Sequence, residues 1–215
     1  MSKLSKLMIS SRATDRTNSS DRCVMQHVRV HQQSFAAIQS EINTMREYGG
    51  NFKYNRESNT LSIDKNSIVR GQHDNVTIPH GMYEFHTHPA VCDNGKCALG
   101  IPSTQDIKIH LEDMNSDCYT HFVFEKDGMW LMIPSTALRG HQNKQMLAMA
   151  HKKAAAMVSM LTSLSMSNYT QEYIKLRNQW IQVARNIGVH MQFVPYVDPS
   201  ESPTFSIPVP CQHMG

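Results

Sequence analysis

Apolar and polar positions along this chain outline one α/β domain. Between residues 24 and 30, Val24, Gln26, Val28 and Val30 alternate with Met25, His27 and Arg29, the period of a short strand. Phe35, Ile38, Ile42 and Met45 then recur at helical spacing, and Gly49-Gly50 reads as the break that ends this helix. Short strands are expected over 52–54 and 60–63, on either side of a polar turn at 55–59. Residues 82–85 read as a buried strand that runs into His86-Thr87-His88-Pro89. A loop over 89–102 leads to a helix that opens at Ser103, with Ile107, Leu111 and Met114 as its inward stripe. Two apolar runs, 121–125 and 129–133, flank Lys126-Asp127-Gly128, and Asp-Gly in that place signals a hairpin. Two longer helical segments follow, about 137–164 and 169–187. Tyr173, Leu176, Trp180, Val183 and Ile187 share one face of the second, and Gly188 ends it before a last strand over 190–197.

Composition sets the boundaries around this pattern. Residues 1–22 are rich in Ser, Thr, Arg and Asp, too polar to offset the entropy of ordering, and read as a flexible N-terminal arm. The domain proper is expected over 23–197. Residues 198–215 carry Pro199, Pro203, Pro208 and Pro210 and read as an extended tail that docks on something or stays loose. No uninterrupted apolar run is long enough for a membrane span and no secretory signal is visible, so an intracellular, cytoplasmic protein is expected. The five cysteines, Cys23, Cys92, Cys97, Cys118 and Cys211, form an odd and scattered set that suits a reducing compartment better than a disulfide framework. The net charge of +3 is small and its basic residues are dispersed, which argues against a nucleic-acid partner. Met146, Met149, Met157 and Met160 read as packing residues.

The chemistry centres on His86-x-His88. Residues i and i+2 of a strand point to one side, so two imidazoles there can converge on one ion. With 12 histidines in the chain, a chance His-x-His pair is expected in roughly half of random sequences, so the pair alone decides nothing. The run Ser103-Thr104-Gln105-Asp106 adds a carboxylate in the first turn of a helix. The same run is an ordinary capping arrangement, with Ser103 at the N-cap and Asp106 favoured by the helix dipole. Two histidines, one carboxylate and an open fourth position match a catalytic zinc site, whereas structural zinc sites are closed by four ligands rich in cysteine. Cys92 and Cys97, with His80 or His73, are the weaker nomination for a second site, and free loop cysteines are the plainer reading. His110 lies four residues after Asp106 and reads as a core or surface histidine.

One further element lies upstream, in Glu47-Tyr48-Gly49-Gly50-Asn51-Phe52. A glutamate at a helix end before a glycine-containing strand, then His-Thr-His-Pro after a strand, then Ser-x-x-Asp at a helix start, resembles the JAMM (MPN-type) metallopeptidase family. The resemblance covers about residues 24–133, and the stretch from Gly81 to Pro89 carries it most strongly. It implies a mixed central sheet flanked by helices, of cytidine-deaminase-like layout, with two helices added at the C-terminal side. It implies zinc as cofactor, His86, His88 and Asp106 as its ligands, Glu47 as general base and Ser103 as the oxyanion-stabilising hydroxyl. Glu41, Glu57 and Glu84 stand as alternatives to Glu47, which is preferred for its position before the glycine pair. The 89–102 loop is longer than the family's usual spacing.

The expected activity is zinc-dependent hydrolysis of an amide or isopeptide bond, with a ubiquitin-like conjugate among the substrates the resemblance implies. The alternative is a JAMM-like scaffold subunit of a multi-subunit complex or viral particle, with the arm and tail docking on neighbours. Protein substrates or partner subunits are the expected partners. Metal-dependent deamination fits less well, because no His-x-Glu followed by Pro-Cys-x-x-Cys is present.

Overall fold

The structure, a computed structural model, describes residues 23–44, 46–72, 75–89, 92–93, 96–97, 100–112, 119–134, 152, 169–186, 188–198 and 200–211. The arm at 1–22, nearly all of the helical segment expected at 137–164 and the four methionines assigned to it lie outside these residues. Strand β1 (Cys23–Val30) leads to helix α1 (Gln32–Ile42), whose Phe35, Ile38 and Ile42 are buried at the spacing that suggested the helix. The helix stops before the glycines. Gly49 and Gly50 lie inside strand β2 (Tyr48–Asn55), contrary to their reading as a helix break. Close approach explains the glycine at 49: a Cβ there would sit 2.9 Å from the Phe85 carbonyl oxygen and 3.0 Å from Ile78. Strand β3 (Thr60–Ile63) returns antiparallel to β2 through a turn in which Asn59 takes φ 49° and accepts a hydrogen bond from the Tyr54 hydroxyl at 2.7 Å.

The remaining strands are β4 (Val69–Arg70), β5 (Tyr83–Thr87), β6 (Cys92–Asp93), β7 (Lys96–Cys97), β8 (Thr120–Phe124), β9 (Gly128–Pro134), β10 (Val189–Pro195) and β11 (Thr204–Pro210). Helices α2 (Thr104–Glu112) and α3 (Tyr169–Asn186) complete the described elements. The main sheet runs β10-β9-β8-β5-β2-β3-β1-β11, with β4 paired to β2, and β6 and β7 form a separate small hairpin inside the 89–102 loop. Pairing is parallel in β5–β8 and β1–β3 and antiparallel elsewhere, so the fold is mixed α/β as expected.

The sheet is nearly closed rather than an open layer flanked by helices. Its curl brings the Phe205 ring of β11 to 5.6 Å from Phe122 of β8, and the Tyr83 hydroxyl donates to the Pro208 carbonyl at 3.2 Å. Phe35, Phe52, Phe85, Phe122, Phe124 and Ile207 fill the enclosed side. On the other side, Val123, Trp130 and Met132 pack with Ile107 of α2 and Tyr173, Leu176 and Trp180 of α3. Gly188, at φ 84°, turns the chain from α3 into β10, as its position predicts.

Of the two alternatives for the proline-rich segment the docked one is found, since residues 204–210 pair as an extended strand with residues 23–29 of β1 and bury Phe205, Ile207 and Val209. The segment can serve as a strand despite Pro208 and Pro210 because β11 is at the sheet edge, where a missing N–H costs no ladder bond. The cysteines are not all free thiols: Cys23 is disulfide-bonded, while Cys211 is free. No described helix is long and apolar enough to cross a membrane.

The burial of β11 gives a direct test. Ile207→Ala, at a position 0 % exposed, is expected to cost about 2–5 kcal/mol in a urea unfolding midpoint. A midpoint equal to that of the unsubstituted protein would show that 204–210 is peripheral to the fold.

Candidate metal centre

Strand alternation sorts the side chains of β5 and β8. Phe85 faces the enclosed aromatic core, while Glu84 and His86 point the other way, and His88 continues that row one residue past the strand. The His88 N–H donates to the Phe124 carbonyl at 2.8 Å, which carries the β5–β8 ladder through the second histidine. Thr87 lies between them with its hydroxyl turned away, accepting the Tyr48 N–H at 3.0 Å. This bond fixes the start of β2 against the end of β5. In the antiparallel β2–β5 register Gly49 faces His86, so Glu47, two residues earlier, falls level with His88.

Helix α2 supplies the carboxylate. Its first turn is closed reciprocally, since the Asp106 N–H donates to Ser103 Oγ at 3.1 Å and the Ser103 N–H donates to Asp106 Oδ2. The capping reading of Ser-x-x-Asp therefore holds, in a geometry that leaves the Asp106 carboxylate facing the two histidines. Asp106 Oδ1 is 3.3 Å from His86 Nε2, its Oδ2 is 3.3 Å from His88 Nε2, and the two Nε2 atoms are 3.0 Å apart. Among the described residues this is the one group of three His, Cys, Asp or Glu side chains able to hold a metal ion, and all three are buried.

Charge in this enclosure is strongly biased. Burial drives His86 down to about 4, so its imidazole is neutral near pH 7. Burial opposes the Asp106 charge, yet the two histidines beside it hold its carboxyl well below the ordinary range. His88 is also penalised by burial, but the Asp106 hydrogen bond and charge, with Glu47 and Glu125 further off, raise it above the usual histidine value. The electrostatic influence of Glu47 on His88 agrees with its place in the register.

The four glutamates nominated by sequence now separate. Glu41 pairs with Arg70 at 2.6 Å on the surface, and Glu57 lies exposed in the β2–β3 turn. Glu84 lies behind His86 rather than in front of the ion position, and Glu47 is buried beside His88. His110 is fully buried, its ring 5.1 Å from Tyr119 and 6.5 Å from His121, and is a core residue rather than a ligand. His80 Nδ1 lies 4.0 Å from the Glu84 carboxylate, and His73 lies outside the described residues. Cys92 and Cys97 occupy opposed backbone positions of the β6–β7 hairpin.

Three residues of the centre were not singled out from sequence. His121 Nε2 lies 2.8 Å from His86 Nδ1, and Tyr119 donates to Glu84 Oε2 at 2.7 Å. The available signal was a histidine and a glutamate embedded in apolar strands, at 121 and 84. The third is Glu125, just past β8, 5 % exposed and receiving the Tyr173 hydroxyl of α3 at 2.6 and 2.7 Å. Gly100 packs directly against it, since a Cβ there would overlap the Glu125 side chain.

Comparison with known proteins finds no relative: no protein-family model, curated protein or solved structure matches the chain.

Burial pushes the Glu125 carboxyl up to about 7 from its ordinary 4.5. The folded state therefore keeps a proton that the unfolded chain releases, and stability falls as pH rises from about 4.5 to 7. In metal-free protein, Glu125→Gln is expected to stabilise the fold by up to about 3 kcal/mol at pH 8 and by almost nothing below pH 4.5. Denaturant midpoints at the two pH values check this, and a pH-independent difference would contradict it.

Proposed function

We propose that this chain is a zinc-dependent hydrolase of the JAMM type, cleaving an amide or isopeptide bond in a protein substrate. The observation that carries the reading is the convergence of two imidazole nitrogens and one carboxylate at separations of 3.0 to 3.3 Å. Ligands about 2.0–2.1 Å from a tetrahedral zinc are about 3.3–3.4 Å from one another, so these atoms are spaced for one shared ion. The donor set of two histidines and one carboxylate leaves a fourth position for chemistry. Bound zinc supplies Lewis acidity, which acidifies water toward a pKa of about 7 and polarises a carbonyl.

The chain's own residues supply the proton transfers. Glu47, buried beside His88, takes a proton from the attacking water as its oxygen bonds to the carbonyl carbon. It returns that proton to the leaving nitrogen as the C–N bond breaks, giving a carboxylic acid and an amine. Ser103 Oγ accepts the Asp106 N–H and keeps its own O–H to donate toward the developing oxyanion. The resemblance of Glu47, His86-Thr87-His88-Pro89 and Ser103-x-x-Asp106 to the JAMM pattern supports these roles, and it suggests a ubiquitin-like conjugate as substrate. The nearly closed sheet is a departure from the layout which that resemblance implies.

The test uses zinc-loaded full-length protein and isopeptide-linked ubiquitin-like dimers. Cleavage is expected, with a loss of at least about 100-fold in kcat for Glu47→Gln while zinc content stays unchanged. Zinc bound without cleavage of any such conjugate would favour a scaffold subunit that keeps a structural ion.

A further inference from the structure

We propose that Cys92 and Cys97 are a redox site, oxidised to a cross-strand disulfide by exchange with a small-molecule disulfide of the glutathione class. The proposal is independent of the hydrolytic reading, and it gives a task to the Cys-x4-Cys pair that the metal centre leaves unused.

Backbone register places the pair. In the antiparallel β6–β7 hairpin Cys92 is opposed to Cys97, and Asp93 to Lys96. Two residues, Asn94-Gly95, separate the strands in sequence, and Asn-Gly is the signature of a tight two-residue connection. In a hairpin closed by two residues the flanking pair, here Asp93 and Lys96, carries the hydrogen bond across the turn. Hydrogen-bonded and non-hydrogen-bonded pairs alternate along an antiparallel ladder, which makes Cys92 and Cys97 a non-hydrogen-bonded pair. Opposed Cα atoms in such a pair are about 4.5 Å apart, inside the range of about 4.4–6.8 Å that a disulfide spans. The two cysteines therefore stand at disulfide separation without any shift of the strands.

Topology keeps the other cysteines away from this pair. Strand β1 is parallel to β3, β3 antiparallel to β2 and β2 antiparallel to β5, so β1 and β5 run in the same direction. Cys23 opens β1, at the end of the sheet opposite to the one where β5 leaves for the 89–102 loop. Cys211 follows Pro210, which pairs with Cys23, and so belongs to that far end as well. Strand β8, which starts two residues after Cys118, runs parallel to β5 and begins there too. Cys92 and Cys97 have only each other at their end. The exchange proceeds in two displacements. One cysteine thiolate attacks the small-molecule disulfide, forming a mixed disulfide and releasing one thiolate. The second cysteine then attacks the protein sulfur of that mixed disulfide, closing the Cys92–Cys97 bond and releasing the other. Two cysteine thiols are oxidised, one disulfide is reduced to two thiols, and the two cysteine protons pass to the released thiolates. The new bond shortens the connection between His88 and Asp106 without consuming either residue.

The experiment equilibrates metal-free full-length protein in buffers of oxidised and reduced glutathione, blocks remaining thiols with a maleimide and maps tryptic peptides by mass spectrometry. Trypsin cuts after Arg70, Lys96 and Lys108, so Cys92 and Cys97 fall on separate peptides, 71–96 and 97–108, each with a single cysteine. The expected result is these two peptides joined by a disulfide. Cys92→Ser is expected to leave Cys97 as a mixed disulfide with glutathione instead. The same equilibration in urea separates built geometry from mere closeness in sequence. The folded protein is expected to favour the crosslink over the unfolded chain by about 10-fold or more at one glutathione ratio. Equal crosslinking in folded and unfolded chains overturns the proposal, as do unlinked peptides under oxidised glutathione or peptides joined to Cys23, Cys118 or Cys211.

Discussion

A carboxylate and two imidazoles buried within a few ångströms of one another are costly unless their charges are paired or shared with an ion, and this constraint shapes the centre of the molecule. Asp106, His86 and His88 are all enclosed, and their ligand atoms converge at 3.0 to 3.3 Å. The surroundings answer the constraint from three directions. The α2 cap orients Asp106, the β5–β8 ladder sets the histidines, and the Glu84, Tyr119 and His121 network sits behind His86. Removing one buried partner leaves the others uncompensated, so such a group persists where the site as a whole is satisfied.

The same strand pairing that builds the site builds the core. One face of β5 and β8 contributes Phe85, Phe122 and Phe124 to the aromatic interior, while the other carries Glu84, His86 and His121. A slip of one residue in the β5–β8 register would exchange these faces, placing phenylalanine at the ligand position and histidine in the aromatic core. Fold and site are therefore specified by one register. The Thr87 hydroxyl, by accepting the Tyr48 N–H, extends that specification to β2 and to Glu47.

Local patterns in the sequence read well and long-range closure did not. Helix α1, the β2–β3 and β8–β9 hairpins, α3 and its Gly188 terminator all follow from periodicity and turn chemistry, which act over a few residues. His86, His88 and Asp106 were legible because strand period and helix capping place them independently of the rest. The Gly49-Gly50 pair misled because a glycine needed for close approach to Phe85 looks, locally, like a helix stop. Prolines at 208 and 210 suggested a tail because nothing nearby in sequence reveals that β1 lies alongside at a distance of some 180 residues. The Cys23 disulfide was hidden for the same reason: an odd, scattered set of cysteines carries no pairing information. His121 escaped notice because its meaning comes from a neighbour 35 residues away.

X-ray absorption at the zinc edge of the zinc-loaded protein tests most directly the proposal that His86, His88 and Asp106 hold one ion. The expected result is one zinc per chain with a shell of nitrogen and oxygen at about 2.0–2.1 Å, including two imidazoles, and loss of that shell in His88→Ala. Absence of bound zinc in the folded protein, or a sulfur-dominated shell at about 2.3 Å that survives His88→Ala, would contradict it and move any metal to the cysteines.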